Sequence, residues 1–421
     1  MAVIQSNAMR GNERNFDLIV FGATSFVGTL LCAYLDTRLV DSGLRWAVAG
    51  RDDEKLEALK AQLSTPLESV VADAHDQAAM EALAKESALV ISTVGPYAKH
   101  GSQLVAAAAK AGTDYCDLTG EPQWMQRMID MYGEAANSSG ARLLHACGFD
   151  SIPSDLGVLF TQQEAAARLG SHCSQISMRV KALKGGVSGG SVASMLNLVE
   201  EASTDPQARR TITNPYALAP EGMREGIRQP NVLAPIRDEA LDSWLAPFLM
   251  AGVNTRVVQR SHALMGRPWG ADFLYDEATM TGPGAAGFAK ATAIATGLGS
   301  LTAATSVGPL RKALQQRVLP QPGEGPSPEQ QQSGYYDLRF YGVTPRGEQI
   351  QTSVTGDRDP GYSSTAIMLA EAAIALAGRD PADLPGGFWT PATAFGTSLI
   401  PALQEHAGMQ FTVVDNSSAT Y

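Results

Sequence analysis

Two hydrophobic patterns divide this chain, and the change comes near residue 155. Before it, short unbroken apolar runs alternate with stretches in which apolar residues recur every three or four positions. The runs "FDLIVFG" (16–22), "RWAVAG" (45–50), "SVVAD" (69–73), "ALVISTVG" (88–95), "TDYCDLTG" (113–120) and "ARLLHACG" (141–148) have the character of strands buried on both faces of a parallel sheet. Leu31, Leu35 and Leu39 mark one face of a first helix, and Leu56, Leu59 and Leu63 one face of a second. Further helices are predicted over 76–86, 102–111 and 122–136. Six βα units at this spacing predict an α/β fold that opens with a Rossmann-type, doubly wound parallel sheet covered by helices on both faces.

After that the period changes. Pro153 stands where a first helical turn tolerates proline, and 154–170 continues as a helix. The alternating segments 175–183, 273–280, 334–343 and 348–356 predict antiparallel strands with one wet face, with helices over 191–203 and 284–306 between them. "LPQPGEGPSPEQQQSG" (319–334) is too polar to pack, and 362–378 returns to helix. The expected organisation is a disordered segment over 1–15, a Rossmann domain over 16–155, and a mixed α/β domain over 156–356 serving substrate and dimer contacts. C-terminal helices from about 357 to 421 are expected to pack back on the first domain.

Composition narrows the function classes. The chain has 421 residues and a net charge of −11 without a Lys/Arg cluster, which argues against nucleic-acid binding. Cys32, Cys116, Cys147 and Cys173 are scattered without CxxC spacing, so a reducing cytoplasm suits them and no metal site is expected. The N-terminus lacks the pattern of a signal peptide. From Ala291 to Leu310 the chain carries no charge. Its Ala, Gly, Thr and Ser content favours a buried or interfacial helix over a membrane span, and leaves peripheral membrane contact open.

The chemistry gathers where predicted strands end. "FGATSFVG" follows the first strand, with Gly22 and Gly28 in the outer places of a G-x-x-G-x-x-G turn and Ser25 in the middle one. In such a turn the glycines permit a tight bend and close packing of helix on strand, and the helix N-terminus faces the cofactor pyrophosphate. The candidate cradle is Gly22, Ala23, Thr24, Ser25, Phe26, Val27 and Gly28, with the Thr24 and Ser25 hydroxyls as candidate donors to phosphate. A purely structural strand-to-helix turn is the alternative. Arg51, directly after the second strand, suits a 2′-phosphate and so NADP(H), although Asp52 and Asp53 would oppose that anion if they faced it. Asp73 is placed to reach the adenine edge. Thr93, Val94, Gly95 and Pro96 leave the fourth strand as further cofactor contacts, followed by Tyr97, Lys99 and His100 beside the expected nicotinamide. Tyr97 is the first candidate proton donor, with Lys99 lowering its pKa. Asp150 and Ser151, after the sixth strand, are candidates for the other side of the ring, or simple caps of the next helix.

In this order "GATSFVG", "AGR", "STVGPYAKHG", "DYCDLTGE", "GFDSIPSD", "GGVSGGS", "LPQPGEGPS" and "DPGYSSTA" resemble the saccharopine dehydrogenase-like oxidoreductases, most nearly the trans-acting enoyl reductase branch. The resemblance runs from Phe16 to Gly378. It implies NADP(H), a mixed α/β substrate domain, a small lipid-like substrate from lipid or glycolipid metabolism, and membrane-surface association in some members. Saccharopine-type chemistry at a C–N bond is a second reading. It would need arginines for several carboxylates, and Arg209, Arg210, Arg224, Arg228 and Arg237 form no recognisable motif. A non-catalytic, membrane-associated NADP-binding protein is a third.

Overall fold

The computed structural model describes residues 14–185, 189–306, 329 and 333–414. The expected disordered N-terminus up to residue 13, the centre of the "GGVSGGS" motif (186–188), residues 307–310 of the uncharged segment and nearly all of the polar connection lie outside the described residues.

Sheet A holds seven strands in the order β13-β6-β5-β4-β1-β2-β3, all parallel. They are β1 (Phe16–Phe21), β2 (Trp46–Gly50), β3 (Glu68–Val71), β4 (Ser87–Ser92), β5 (Asp114–Asp117), β6 (Arg142–Leu144) and the late β13 (Gly387–Trp389). Central strands bury nearly every side chain, whereas edge strand β3 exposes Glu68 and Val71. Helices α1 (Phe26–Arg38), α2 (Asp53–Lys60), α3 (Gln77–Glu86), α4 (Tyr97–His100), α5 (Ser102–Ala111) and α6 (Pro122–Ser139) connect the strands. The winding runs one way from β1 to β3 and the other from β4 to β6, so a crevice opens beyond the carboxyl ends of β1 and β4.

The helix α7 (Ile152–Leu169), with Pro153 in its first turn, leads from sheet A to sheet B. That sheet has the order β14-β12-β11-β7-β10-β9-β8, with β7 (Gln175–Lys184) in the middle. Its other strands are β8 (Ile236–Asp238), β9 (Ser243–Pro247), β10 (Leu274–Gly282), β11 (Tyr335–Val343), β12 (Gln349–Gly356) and β14 (Met409–Val413). Among these, β7 and β10 run parallel and the other neighbours antiparallel. Burial along β11 alternates strictly, the pattern of a sheet with one covered face. Helices α8 (Gly189–Thr204), α9 (Pro206–Thr213), α10 (Ala251–Leu264) and α11 (Gly284–Ser306) lie in the β7-to-β11 connection. Helix α11 packs on β9, β10 and α8, yet most of its residues are exposed, despite their lack of charge from 291 to 306. Among the described residues no helix is long and apolar enough to cross a membrane.

The C-terminal segment serves both sheets. Helix α12 (Ser363–Ala377) packs on α1, β4 and β5, and Glu371 accepts from Tyr34 Oη at 2.5 Å and Arg38 Nε at 2.8 Å. Strand β13 then extends sheet A, α13 (Pro391–Phe395) and α14 (Ile400–His406) follow, and β14 joins sheet B beside β12. Arg142 of β6 fixes this return. It is paired with Asp114 while donating to the Arg379 carbonyl at 2.7 Å and the Leu376 carbonyl at 3.0 Å.

Candidate functional site

The turn between β1 and α1 is built by close approach. Gly22 has φ +85°, and a Cβ there would lie 2.6 Å from Val94 Cγ2 and 2.8 Å from Thr93 Oγ1. A Cβ on Gly28 would lie 2.2 Å from the Gly22 carbonyl oxygen, so no larger residue lets α1 sit this close to the strand. Ser25, in the middle place, is the N-cap of α1: its Oγ accepts from Gly28 N–H at 2.9 Å and meets Thr93 Oγ1 at 2.9 Å. Thr93 donates to the Gly22 carbonyl at 2.9 Å. The Ser25 hydroxyl hydrogen is therefore directed to Thr93, since Thr93 spends its own on a carbonyl. Meanwhile the amides of Thr24, Phe26 and Val27 have no partner among the described residues. Unpaired N–H groups at the positive end of a helix, around a glycine with no room for a side chain, fit a dinucleotide pyrophosphate.

Arg51 is exposed and forms no ion pair with a described residue. Asp52 is turned to its own helix, capping α2 through Lys55 N–H at 3.1 Å and pairing with Lys55 Nζ at 3.6 Å. Its carboxylate is thus occupied away from Arg51. Asp73, also exposed, accepts from the amide of His75 at 2.8 Å. His75 Nε2 and His100 Nδ1 lie 3.0 Å apart, and Arg51, Lys99 and Asp73 are near enough for their charges to act on His100. Lys99 and His100 thus stand near Arg51 and Asp73, whereas the sequence places both beside the nicotinamide and Lys99 as the activator of Tyr97.

Tyr97 is buried against Trp124, with ring centroids 5.5 Å apart. Its hydroxyl donates to the Ser92 carbonyl at 3.0 Å and accepts from Leu118 N–H at 3.1 Å. Burial, followed by the Asp117 charge, pushes its pKa well above the ordinary phenol value. A phenol so placed holds the ends of β4 and β5 together and keeps its proton. That differs from the expected donor activated by Lys99, because α4 turns the ring inward under the loop.

The loop over Tyr97 is anchored by Glu121, which sequence reasoning did not single out. Its buried carboxylate accepts from the amides of Tyr97 at 2.8 Å and Ala98 at 3.1 Å, and from Ser194 Oγ of α8 at 2.8 Å. Helix α8 is thereby fixed against the β4–α4 loop. The "TGEP" run offers little in sequence to mark this role.

Asp150, half-buried beside Gly120, follows β6. Loss of solvation, reinforced by the Asp117 charge, raises its pKa to about 7. Ser151 does not cap α7 through its side chain but donates to Asn254 Oδ1 at 3.0 Å. Phe149 meets Tyr336 of β11 edge to face at 4.9 Å, and Tyr336 pairs with Leu183 near the end of β7. The loop carrying Asp150 therefore abuts the end of sheet B where β7 finishes. Beside that end, β10, α11 and the β8–β9 turn enclose a groove of about 660 Å³, lined by Leu241, Met280, Pro283, Ala293 and Ile294 with Lys181 and Lys290.

Residues 18–144 match the family model described as the saccharopine dehydrogenase NADP-binding domain. A Mycobacterium tuberculosis protein provisionally named a trans-acting enoyl reductase is 38% identical over 408 residues, covering 94% of this chain and 97% of its own. The trans-acting enoyl reductase of Mycobacterium ulcerans is 37% identical over 416 residues, covering 94% of this chain and 97% of its own. Saccharopine dehydrogenase (L-Glu forming) of Saccharomyces cerevisiae shares the fold, with a TM-score of 0.52 at 12% identity across 95% of this chain and 100% of that one. With this kinship spanning both sheets, and a crevice suited to the cofactor its first domain is matched for, the chain belongs to the trans-acting enoyl reductase branch of the saccharopine dehydrogenase-like, NADP-binding oxidoreductases.

Proposed function

We propose that the protein uses NADPH to reduce an activated carbon–carbon double bond in a lipid-like acyl substrate. The observation that carries this reading is the 37–38% identity, over nearly the whole chain, to relatives named trans-acting enoyl reductases. In the proposed cleft, the Gly22–Gly28 turn holds the pyrophosphate, Arg51 and Asp73 the adenosine half, and Thr93–Pro96 the nicotinamide half. Bound NADPH supplies a hydride to the carbon β to the acyl carbonyl. The chain must then supply a proton to the α carbon, and of the three side chains put forward for catalysis Asp150 is the best suited. A carboxyl with a pKa of about 7 is half protonated at neutral pH, the condition for an efficient general acid. The mostly apolar groove beside α11 supports an acyl chain as the occupant of the second domain. Arg224 and Arg237 are engaged with Asp130 and Asp242, and Arg209 with the Ala202 carbonyl, which disfavours the polycarboxylate pocket of the saccharopine-type reading.

The test is NADPH consumption with enoyl thioesters set against amino/keto acid pairs. Turnover of the thioesters to saturated products is expected. Turnover of the amino/keto pairs alone would overturn the reading. Asp150→Asn should lower kcat by about 100-fold or more and abolish the decline of rate above about pH 7. The uncharged, partly exposed stretch of α11 supports contact with a membrane surface as a second property, read by flotation with lipid vesicles.

A further inference from the structure

The His75–His100 pair has no part in the reaction proposed above, and its position is unusual. In sheet A, β1 and β2 lie between β4 and β3, so the ends of β3 and β4 are about 14 Å apart. The segments that follow these strands nevertheless converge. His75 just precedes α3 and His100 just precedes α5, the two helices pack side by side, and the imidazoles meet at 3.0 Å with ring centroids 5.0 Å apart. The pair therefore stands on the side of the crevice where the β2–α2 turn presents Arg51.

The charges here are poorly balanced. In a chain of net charge −11, Arg51 from the β2–α2 turn, His75 from the β3–α3 loop, and Lys99 and His100 from α4 gather with the Asp73 carboxylate, while the neighbouring Asp76 and Asp52 carboxylates are engaged in capping α3 and α2. Asp73 already accepts from the His75 amide. Burial, then the charges of His75, Lys99 and Arg51, hold the His100 pKa below its ordinary value, with Asp73 opposing. The single hydrogen shared between His100 Nδ1 and His75 Nε2 leaves His100 Nε2 and His75 Nδ1 without a protein partner among the described residues. Those two nitrogens become donors to an anion once the pair gains a proton.

We propose that His75 and His100, together with Arg51 and Lys99, form the wall that recognises the adenosine 2′-phosphate of NADP(H), and that the imidazole pair takes up a proton when that phosphate binds. The proposal rests on the placement of the cofactor cleft given above. A dianionic phosphate reverses the balance of charge around the pair, so the protonated form is favoured in the complex and disfavoured without it. Affinity for NADP(H) then falls as pH rises through the titration of the bound pair, whereas NAD(H), lacking the phosphate, shows no such slope.

The test is calorimetric titration of the full chain with NADP⁺, NAD⁺ and 2′,5′-ADP at pH 7.5, in two buffers of different ionisation enthalpy. The ligand's phosphate, with a pKa of about 6, is already a dianion there and contributes little proton exchange. Net proton uptake is expected with NADP⁺ and 2′,5′-ADP and none with NAD⁺. His100→Asn and His75→Asn should each weaken NADP⁺ about tenfold, the loss of one charge-assisted hydrogen bond, abolish the uptake and leave NAD⁺ binding unchanged. His100→Lys should restore NADP⁺ affinity without restoring uptake. If the two asparagine variants bind both dinucleotides as the native chain does, or if the uptake persists in them, the proposal is wrong. Gly22→Val tests the cleft separately: it should abolish binding of both dinucleotides, and if it does not, the placement of the cleft fails rather than the role of the histidines.

Discussion

Ser25→Ala distinguishes two roles for the residue in the middle of the glycine turn. In the structure its hydroxyl caps α1 through Gly28 N–H and donates to Thr93, both at 2.9 Å. Loss of a serine cap costs about 1 kcal/mol, and the hydrogen bond to Thr93 about another 1 kcal/mol. The alanine variant should therefore lose about 2 kcal/mol without cofactor, a fall of about 4–8 °C in the Tm of a unit of this size. Ser25→Gly should lose about half as much, because glycine at the cap costs only a few tenths of a kcal/mol. NADPH affinity, followed by fluorescence of the bound dihydronicotinamide, should stay within about threefold in both variants, because the amides of Thr24, Phe26 and Val27 remain free to bind the anion. A variant with unchanged Tm but NADPH binding tenfold or more weaker would refute this reasoning. The serine would then be a phosphate ligand that leaves its cap when the cofactor arrives.

Other substitutions probe the surroundings. Tyr97→Phe leaves Leu118 N–H without its acceptor, and should cost about 1–3 kcal/mol of stability while keeping turnover within a few-fold; a hundredfold loss of kcat would return the phenol to the reaction. Asp114→Ala strands the buried Arg142 guanidinium, and should cost about 3–5 kcal/mol, read as loss of soluble protein or a large drop in Tm. Glu277 is buried, accepts from Tyr275 Oη at 2.7 Å and Asn254 Nδ2 at 2.9 Å, and has its pKa raised by burial to about 7. Because the folded state holds this proton more tightly than the unfolded one, stability is fullest below about pH 4.5 and falls by up to about 3 kcal/mol as pH rises through 7. Glu277→Gln should flatten that part of the profile in denaturant titrations at several pH values, and an unchanged slope would exclude the carboxyl as its source.

Much of sheet A was legible because a strand buried on both faces leaves an unbroken apolar run that polar spacing cannot imitate. Each of the six expected strands overlaps an observed one, but the sequence extended several into the loops that follow. "TDYCDLTG" overreaches β5 at its end, where Leu118, Thr119 and Gly120 already belong to the loop that leads into α6. The pieces missed are short or depend on distant partners. Strand β13 has three residues, Gly387–Trp389, and exists because β6 offers it an edge; β8 and β9 are likewise ordered by pairing rather than by their own periodicity. In the candidate site the same limit applies. The glycines of the turn declare themselves by spacing, whereas nothing in "STVGPYAKHG" says that Tyr97 turns inward and His100 turns to His75. The first goes with Glu121, 24 residues beyond Tyr97, taking the amides of 97 and 98, and the second with the side-by-side packing of α3 and α5.

Glu121 also bears on how the two sheets act together. Through Ser194 it holds α8 against the β4–α4 loop, and α11 packs on α8 in turn. On the other side, Phe149 contacts Tyr336 and Thr365 receives the Phe149 amide at 2.9 Å, so the Asp150 loop is braced by sheet B and by α12. The candidate acid and the candidate nicotinamide loop are thus each fixed by elements from beyond the first domain. A Rossmann half alone would keep the close approaches of Gly22 to Thr93 and Val94 and of Gly28 to the Gly22 carbonyl, but would lose the Tyr362 ring against Phe26, the brace on Asp150 and the Ser194 contact to Glu121. Cofactor binding and reduction should therefore be separable by mutation. Ser194→Ala and Thr365→Val should lower kcat with little change in NADPH affinity, and equal losses in both would mean that the cleft and the second domain form one site from the outset.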